Sequence, residues 1–176
     1  MASSSSSYGS VLVSLALVLQ FFLASASTQY IDAICQHVPD KVFCVQTLNG
    51  FPPATSATTM FKAAQAVLRL GISYAAKSAA ASAKAATENP NLKKQFERCQ
   101  GEFATIIGNL KNAASELKED AQAASYDIMI CMDSTTIVRN LVGQYSDKDS
   151  KNVIIMTSMM DKFLEIDNGA AIAVGW

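Results

Sequence analysis

Apolar residues recur at spacings of three and four along most of this chain, which is the period of an α-helix. The clearest stripe begins at Leu92 and ends at Leu117, and it keeps one side of a helix apolar for about seven turns. No alternating run typical of a β-strand competes with it, so we predict an all-α protein. The stripe consists of Leu92, Phe96, Cys99, Phe103, Ile106, Leu110, Ala113 and Leu117.

Two neighbouring segments carry the same kind of pattern. An Ala-rich stretch from Thr55 to Glu88 has no proline and one internal glycine, Gly71, and it is predicted to be one long helix. After the polar break at Lys118 to Asp120, a third stripe predicts another helix. That stripe consists of Ala124, Ile128, Cys131, Thr135, Val138, Val142 and Tyr145.

A last helix is predicted after S-D-K-D-S, with Asp147 or Asp149 as its N-cap. Gly169 stands where a glycine that ends a helix is expected. Several methionines lie in or beside the apolar stripes, and we interpret them as core filling. The residues expected to face inward are Val153, Met156, Met160 and Phe163, and the methionines in question are Met129, Met132, Met156, Met159 and Met160.

Four long helices joined by short links favour an antiparallel up-and-down four-helix bundle over residues 51–176. Each stripe could instead form a coiled-coil seam with another chain, but four stripes in one chain bury each other more simply. Residues 28–50 are too short for a fifth full helix and are predicted to form an N-terminal helical hairpin.

The first 27 residues differ from the rest of the chain. A polar start, a 13-residue apolar run and A-S-A-S predict a secretory signal peptide that is cleaved before Thr28. The alternative is a membrane anchor, but the run is shorter than the roughly 20 residues that a spanning helix needs. We therefore expect a secreted, extracellular protein with no membrane attachment after cleavage. The formal net charge of −1 gives no reason to expect nucleic acid as a partner.

The stretch C-Q-H-V-P-D-K-V-F-C, from Cys35 to Cys44, could be a metal site, a redox centre or a structural disulfide. His37 is the only histidine, and the spacing matches neither a zinc site nor a C-x-x-C redox pair. Pro39 can begin a helix after a turn, which leaves two short arms that a disulfide would clamp. We predict a disulfide, worth about 2.7 kcal/mol by the chain-entropy relation.

Nothing else in the sequence carries catalytic chemistry. It has no phosphate-binding glycine loop, no G-x-S-x-G and no pair of carboxylates within an apolar pattern. We predict no catalytic, cofactor-binding or metal-binding residues, and the protein is predicted not to be an enzyme.

At this point the sequence resembles the plant invertase and pectin methylesterase inhibitors. The resemblance covers nearly the whole chain after the secretory segment, and it rests on C-Q-H-V-P-D-K-V-F-C, on N-P-N-L-K-K-Q-F-E-R-C and on Phe103. It implies a four-helix bundle with a hairpin closed by a Cys35–Cys44 disulfide. It also implies secretion into the plant cell wall (the apoplast), where the protein would cover the active-site cleft of a carbohydrate-active enzyme.

The fourth cysteine departs from the pattern of that family, in which the third and fourth cysteines join two bundle helices. With a turn near Asp120, Cys99 and Cys131 would lie roughly 13 Å apart along the bundle, whereas a disulfide needs Cα atoms within about 7 Å. We predict that both are unpaired core cysteines. The position on the next helix that lies level with Cys99 is expected near Arg139. The alternative, a turn near Ser115, would need a helix break that no Gly or Pro supports.

The resemblance leaves the target enzyme open. Invertase inhibitors can carry Pro-Lys-Phe between the second and third bundle helices, and E-D-A-Q-A-A-S stands there instead. The D-K-F at Asp161 to Phe163 is interpreted as a coincidence, so pectin methylesterase is favoured over acid invertase. Two further alternatives are a diverged bundle without inhibitory activity and a carrier of apolar ligands, which the count of four cysteines disfavours.

Overall fold

The structure is a computed structural model that describes residues 29–175, and the predicted secretory segment 1–27 lies outside these residues. In the described part all regular structure is helical, which confirms the all-α prediction. None of its helices combines the length and the hydropathy needed to cross a bilayer.

The N-terminal hairpin comprises two short helices, α1 (residues 29–35) and α2 (Lys41–Asn49). A single turn of helix, α3 (Pro52–Thr55), leads into the bundle. The Ala-rich segment forms α4 (Met60–Glu88), which begins five residues later than its pattern predicts because Thr59 provides the N-cap.

The rest of the bundle follows with short links. A 3₁₀ turn at Pro90–Leu92 leads into α5 (Lys93–Glu116), and the third bundle helix is divided at Ile130 into α6 (Ala121–Met129) and α7 (Cys131–Val142). The last helix is α8 (Lys148–Gly175). Its N-cap is Asp147, whose Oδ1 accepts hydrogen bonds from the backbone N–H groups of Asp149 and Ser150.

Helices that follow each other in sequence also pack against each other. Helix α4 packs on α5, α5 packs on α6 and α7, both of these pack on α8, and α8 returns to α4. The result is a ring in which α4 and the α6–α7 pair occupy opposite corners. Every residue of the α5 stripe is buried, from Leu92 to Leu117, because this side of α5 faces the middle of the ring.

The sequence predicted that Gly169 ends the last helix, and this is wrong. Gly169 lies buried within α8, which continues to Gly175. A Cβ at this position would lie 2.9 Å from the carbonyl oxygen of Ile34 and 2.8 Å from Cγ2 of Val38. The glycine is therefore required by the close approach of the hairpin, a non-local reason that the local pattern does not reveal.

We expect Gly169→Ala to destabilise the protein by about 2 kcal/mol, because the added methyl group meets a backbone oxygen that cannot turn away. Thermal unfolding followed by circular dichroism measures this. Gly101→Ala is the control, since nothing beyond its own stretch of helix lies within 4 Å of a Cβ at that position. Equal melting temperatures for Gly169→Ala and the unmodified protein would contradict the close docking of the hairpin.

Candidate interaction surface

The hairpin is held closed by a disulfide between Cys35 and Cys44, whose Cα atoms are 5.7 Å apart. This agrees with the prediction from their spacing. Asp40 begins α2 as its N-cap, and its Oδ1 accepts a hydrogen bond of 3.1 Å from the backbone N–H of Phe43. The turn between the two helices is consequently fixed at both ends.

The hairpin is attached to α8 by the D-K-F segment. Lys162 Nζ donates a hydrogen bond of 2.9 Å to Asp40 Oδ2 and lies 4.7 Å from the centre of the Phe43 ring. The ring of Phe163 stands edge-on to that of Phe43 at 6.1 Å and lies 4.7 Å from that of Tyr74. The hydrogen bond from Lys162, followed by that from Phe43, lowers the pKa of Asp40 below its ordinary value. The segment that looked coincidental in the sequence therefore helps to dock the hairpin.

Docking of the hairpin creates a groove of about 290 Å³ between its turn and the bundle. Buried Ile128 and Leu164 lie at its base. The rim combines two methionines and a proline with an imidazole, a carboxyl group and an amide. These rim residues are His37, Pro39, Met129, Met132, Glu165 and Asn168.

An exposed apolar band lies along this groove on α6 and α7. Tyr126, Met129 and Met132 follow one another at intervals of three residues, so they are neighbours on the helix surface, and they are 67%, 57% and 40% exposed. The prediction that Met129 and Met132 fill the core is wrong, because both are exposed, whereas Met156 is partly buried. Only Met160 of the five methionines is buried. We call Tyr126, Met129 and Met132, with the groove beside them, the Met surface.

Cys99 and Cys131 are free and buried in the interior, on α5 and α7. Burial raises the pKa of both thiols to about 12, so neither is a nucleophile at ordinary pH. Cys131 Sγ lies 4.0 Å from the carbonyl oxygen of Ile106, and Ser134 Oγ donates to Glu102 Oε2 at 2.9 Å. These contacts place Cys99 level with Val138, close to the position near Arg139 expected from the sequence, and about 10 Å along the axis from Cys131.

A carboxyl group that the sequence did not single out lies in the same interior. Asp167 on α8 is buried, neither of its oxygens has a hydrogen-bond partner, and it packs against Gly71 of α4, where any Cβ would collide with it. Burial raises its pKa well above the ordinary value. The one signal in the sequence is that this charged residue stands among apolar neighbours, Ile166 on one side and Gly169 to Ala171 on the other.

These groups do not form a reaction centre. In the part of the chain that the structure describes, no three His, Cys, Asp or Glu side chains are grouped in a way that could hold a metal ion. The two buried thiols and Asp167 are enclosed in the bundle. The described residues present a helical surface to another molecule.

Comparison with known proteins agrees with this description. The family model described as plant invertase/pectin methylesterase inhibitor matches residues 29–161, which include the hairpin and most of the bundle. Proteins of this family are enzyme inhibitors and not enzymes. No curated protein matches the sequence closely enough to count as a relative.

Two solved structures share the fold. A mutant form of a pectin methylesterase inhibitor from Arabidopsis has a TM-score of 0.67 at 17% identity, with 81% of this chain and 95% of that chain covered. A pectin methylesterase inhibitor from Arabidopsis thaliana has a TM-score of 0.57 at 16% identity, with 82% and 95% covered. At these identities the likeness concerns the fold alone.

Proposed function

This chain belongs to the plant invertase/pectin methylesterase inhibitor family, and on that premise we propose that it is a secreted inhibitor of pectin methylesterase. The observation that carries the proposal is the family match, which extends through the hairpin and most of the bundle. The proposed inhibitor acts by covering the active-site cleft of the enzyme, so it needs a complementary surface and no reactive group of its own.

The proposed site of action is the cell wall. Members of the family are extracellular plant cell-wall proteins. The Cys35–Cys44 disulfide supports this, because disulfides persist in oxidising compartments. We propose that residues 1–27 are removed on secretion, and that hairpin 28–50 and bundle 51–176 act together as one inhibitor domain.

We propose that the Met surface contacts the enzyme. Tyrosine and methionine are enriched in the cores of protein interfaces, and the polar groups around the groove suit the rim of such an interface. The disulfide and the Lys162–Asp40 contact hold the hairpin turn in place before binding, which lowers the entropy cost of association.

Acid invertase is the second candidate target, since the family description includes both enzymes. The D-K-F segment gives no support to it, because Lys162 and Phe163 are engaged within the molecule. The test is a titration of the protein from Thr28, produced in an oxidising host, against a plant pectin methylesterase and a cell-wall invertase at acidic pH. Near-stoichiometric inhibition of pectin methylesterase is expected. Inhibition of invertase alone would reassign the target, and full activity of both enzymes would mark a diverged bundle.

Substituting the exposed methionines tests the contact surface. We expect Met129→Glu with Met132→Glu to raise the apparent inhibition constant by about tenfold or more, because two charges would be buried against the enzyme. The matched control is Val42→Glu with Ile155→Glu, two exposed apolar residues outside the Met surface. If the control variant loses as much inhibition as the methionine variant, the Met surface is not the contact.

A further inference from the structure

Four cations lie along one side of α4. Lys62, Arg69, Lys77 and Lys84 are all exposed, and their spacings of seven, eight and seven residues keep them within about a quarter of the helix circumference. They extend over about 33 Å of the helix axis at about 1.5 Å per residue. We call these four residues the basic stripe.

Few negative charges oppose the basic stripe. Glu88, at the end of α4, is the only carboxylate in this helix, and it lies 3.6 Å from Lys84 in an exposed pair. Within residues 29–175, no carboxylate lies within ion-pair distance of the other three cations. Because the whole chain has a formal net charge of −1, positive charge is concentrated here rather than general.

Two grooves continue the basic stripe at its ends. Lys62 and Arg69 border one of about 380 Å³ beside α3, and no carboxylate lines it. Lys84 borders the other, of about 640 Å³, where Lys148 and Lys151 of α8 add two more cations alongside Glu88 and Asp149. The positively charged surface is thus long and grooved, a shape that suits an extended chain better than a compact ion.

The basic stripe and the three exposed side chains of the Met surface lie on different helices of the ring. Helix α4 and the α6–α7 pair occupy opposite corners of the ring, each packed on α5 and α8. An enzyme bound at the Met surface therefore leaves the outer side of α4 accessible.

We propose that the basic stripe binds a linear polyuronate, the form that pectin takes once its methyl esters have been removed. This inference deepens the proposed function and rests on it for the choice of polyanion. Removal of a methyl ester converts a neutral group into a carboxylate, so the enzyme itself generates the ligand. Lysine and arginine side chains donate charge-assisted hydrogen bonds to carboxylates. Each exposed ion pair is weak, but a polymer with many carboxylates can contact several of the cations at once, and the binding free energies of these contacts add up.

The test measures binding of the full chain from Thr28 to polygalacturonate by isothermal titration calorimetry, without any enzyme. We expect binding that weakens as salt is raised, and little binding to highly methyl-esterified pectin of similar length. Lys62→Gln, Arg69→Gln, Lys77→Gln and Lys84→Gln combined should lower the affinity by about tenfold or more. Glutamine keeps helix propensity close to that of the residues it replaces, so folding is preserved.

The matched control removes the same charge elsewhere. Lys41→Gln, Lys94→Gln, Lys111→Gln and Lys118→Gln combined alter four exposed lysines outside α4, and this variant should bind within about twofold of the unmodified protein. Equal losses in both variants would reduce the effect to net charge and overturn the assignment. So would undiminished binding by the stripe variant, equal binding of methyl-esterified pectin, or binding to phosphatidylserine vesicles in place of polygalacturonate.

Failure of this inference is distinguishable from failure of the proposed function. The stripe variant should inhibit pectin methylesterase as well as the unmodified protein does, because the Met surface is unchanged. A protein that binds polygalacturonate through the basic stripe but inhibits neither enzyme refutes only the proposed function. A protein that inhibits but does not bind polygalacturonate refutes only the role of the basic stripe.

Discussion

Replacing Asp167 with asparagine is expected to raise the free energy of unfolding at neutral pH by about 3 kcal/mol, because the native protein must keep a carboxyl group in an apolar interior. Neither oxygen has a hydrogen-bond partner, and on α4 the side chain packs against Gly71, which has no side chain to donate to it. The titratable group nearby on α7 is the Cys131 thiol, which carries no compensating positive charge. Asparagine keeps the shape of the side chain and removes the cost of keeping it protonated.

The stabilisation should depend on pH in a defined direction. Burial raises the pKa of Asp167 in the folded state, so the folded protein holds a proton that the unfolded chain releases above its value near 3.8. Stability should therefore fall as pH rises from about 4, by up to tenfold in the unfolding equilibrium constant per pH unit, until the folded-state pKa is passed. Below that window the unmodified protein and Asp167→Asn should have similar stability.

Urea unfolding of the two proteins at several pH values measures this difference. Asp40 and Asp147 have lowered pKa values, caused by hydrogen bonds to their charged forms, and they lower stability as the pH falls. Both residues are present in the two proteins, so their contribution cancels in the comparison. A difference in stability that stays the same from acidic to neutral pH would show that Asp167 is not held protonated.

Substituting Val138 with cysteine is expected to produce a disulfide with Cys99 and to raise the free energy of unfolding by about 3 kcal/mol. Val138 is buried on α7. The contacts of Ser134 with Glu102 and of Cys131 with Ile106 place it level with Cys99. A disulfide at this position would join the second and third bundle helices, as the family resemblance implies for the fourth cysteine.

Peptide mapping under non-reducing conditions identifies the linked pair, and unfolding with and without reductant measures its effect. Cys99→Ser combined with Val138→Cys is the control, since it removes the partner while keeping the new thiol. In the unmodified protein, Cys99 and Cys131 should remain unlinked. A Cys99–Cys131 link there would refute the register derived for α5 and α7.

The sequence predicts the fold of this protein better than it predicts the surface. The α5 stripe was predictable residue by residue, because a sustained three-and-four spacing has one helical interpretation and its members are all buried. The Cys35–Cys44 disulfide was equally predictable, since the short loop around a proline keeps the two cysteines close together. Both features depend on residues that are near one another in the chain.

The Met surface was not predictable in this way. Met129 and Met132 lie beside the stripe of α6 and α7, and periodicity identifies an apolar side without showing how far neighbouring helices cover it. Gly169 was misinterpreted for a related reason, and the contacts that the D-K-F segment makes with the hairpin were missed. Lys162 and Gly169 serve contacts with the hairpin, which lies more than 100 residues earlier in the chain.

The sequence by itself determined the helical class, the core stripes, the hairpin disulfide and the resemblance to an inhibitor family. Those features follow from local period, spacing and chain connectivity. Only the tertiary structure decided which methionines are exposed, why Gly169 and Gly71 have no side chain, and that Asp167 is enclosed without a partner. It also placed α4, which carries the basic stripe, at the corner of the ring opposite α6 and α7. Burial and relative position depend on two elements that pack together, whereas the pattern along the chain describes each helix alone.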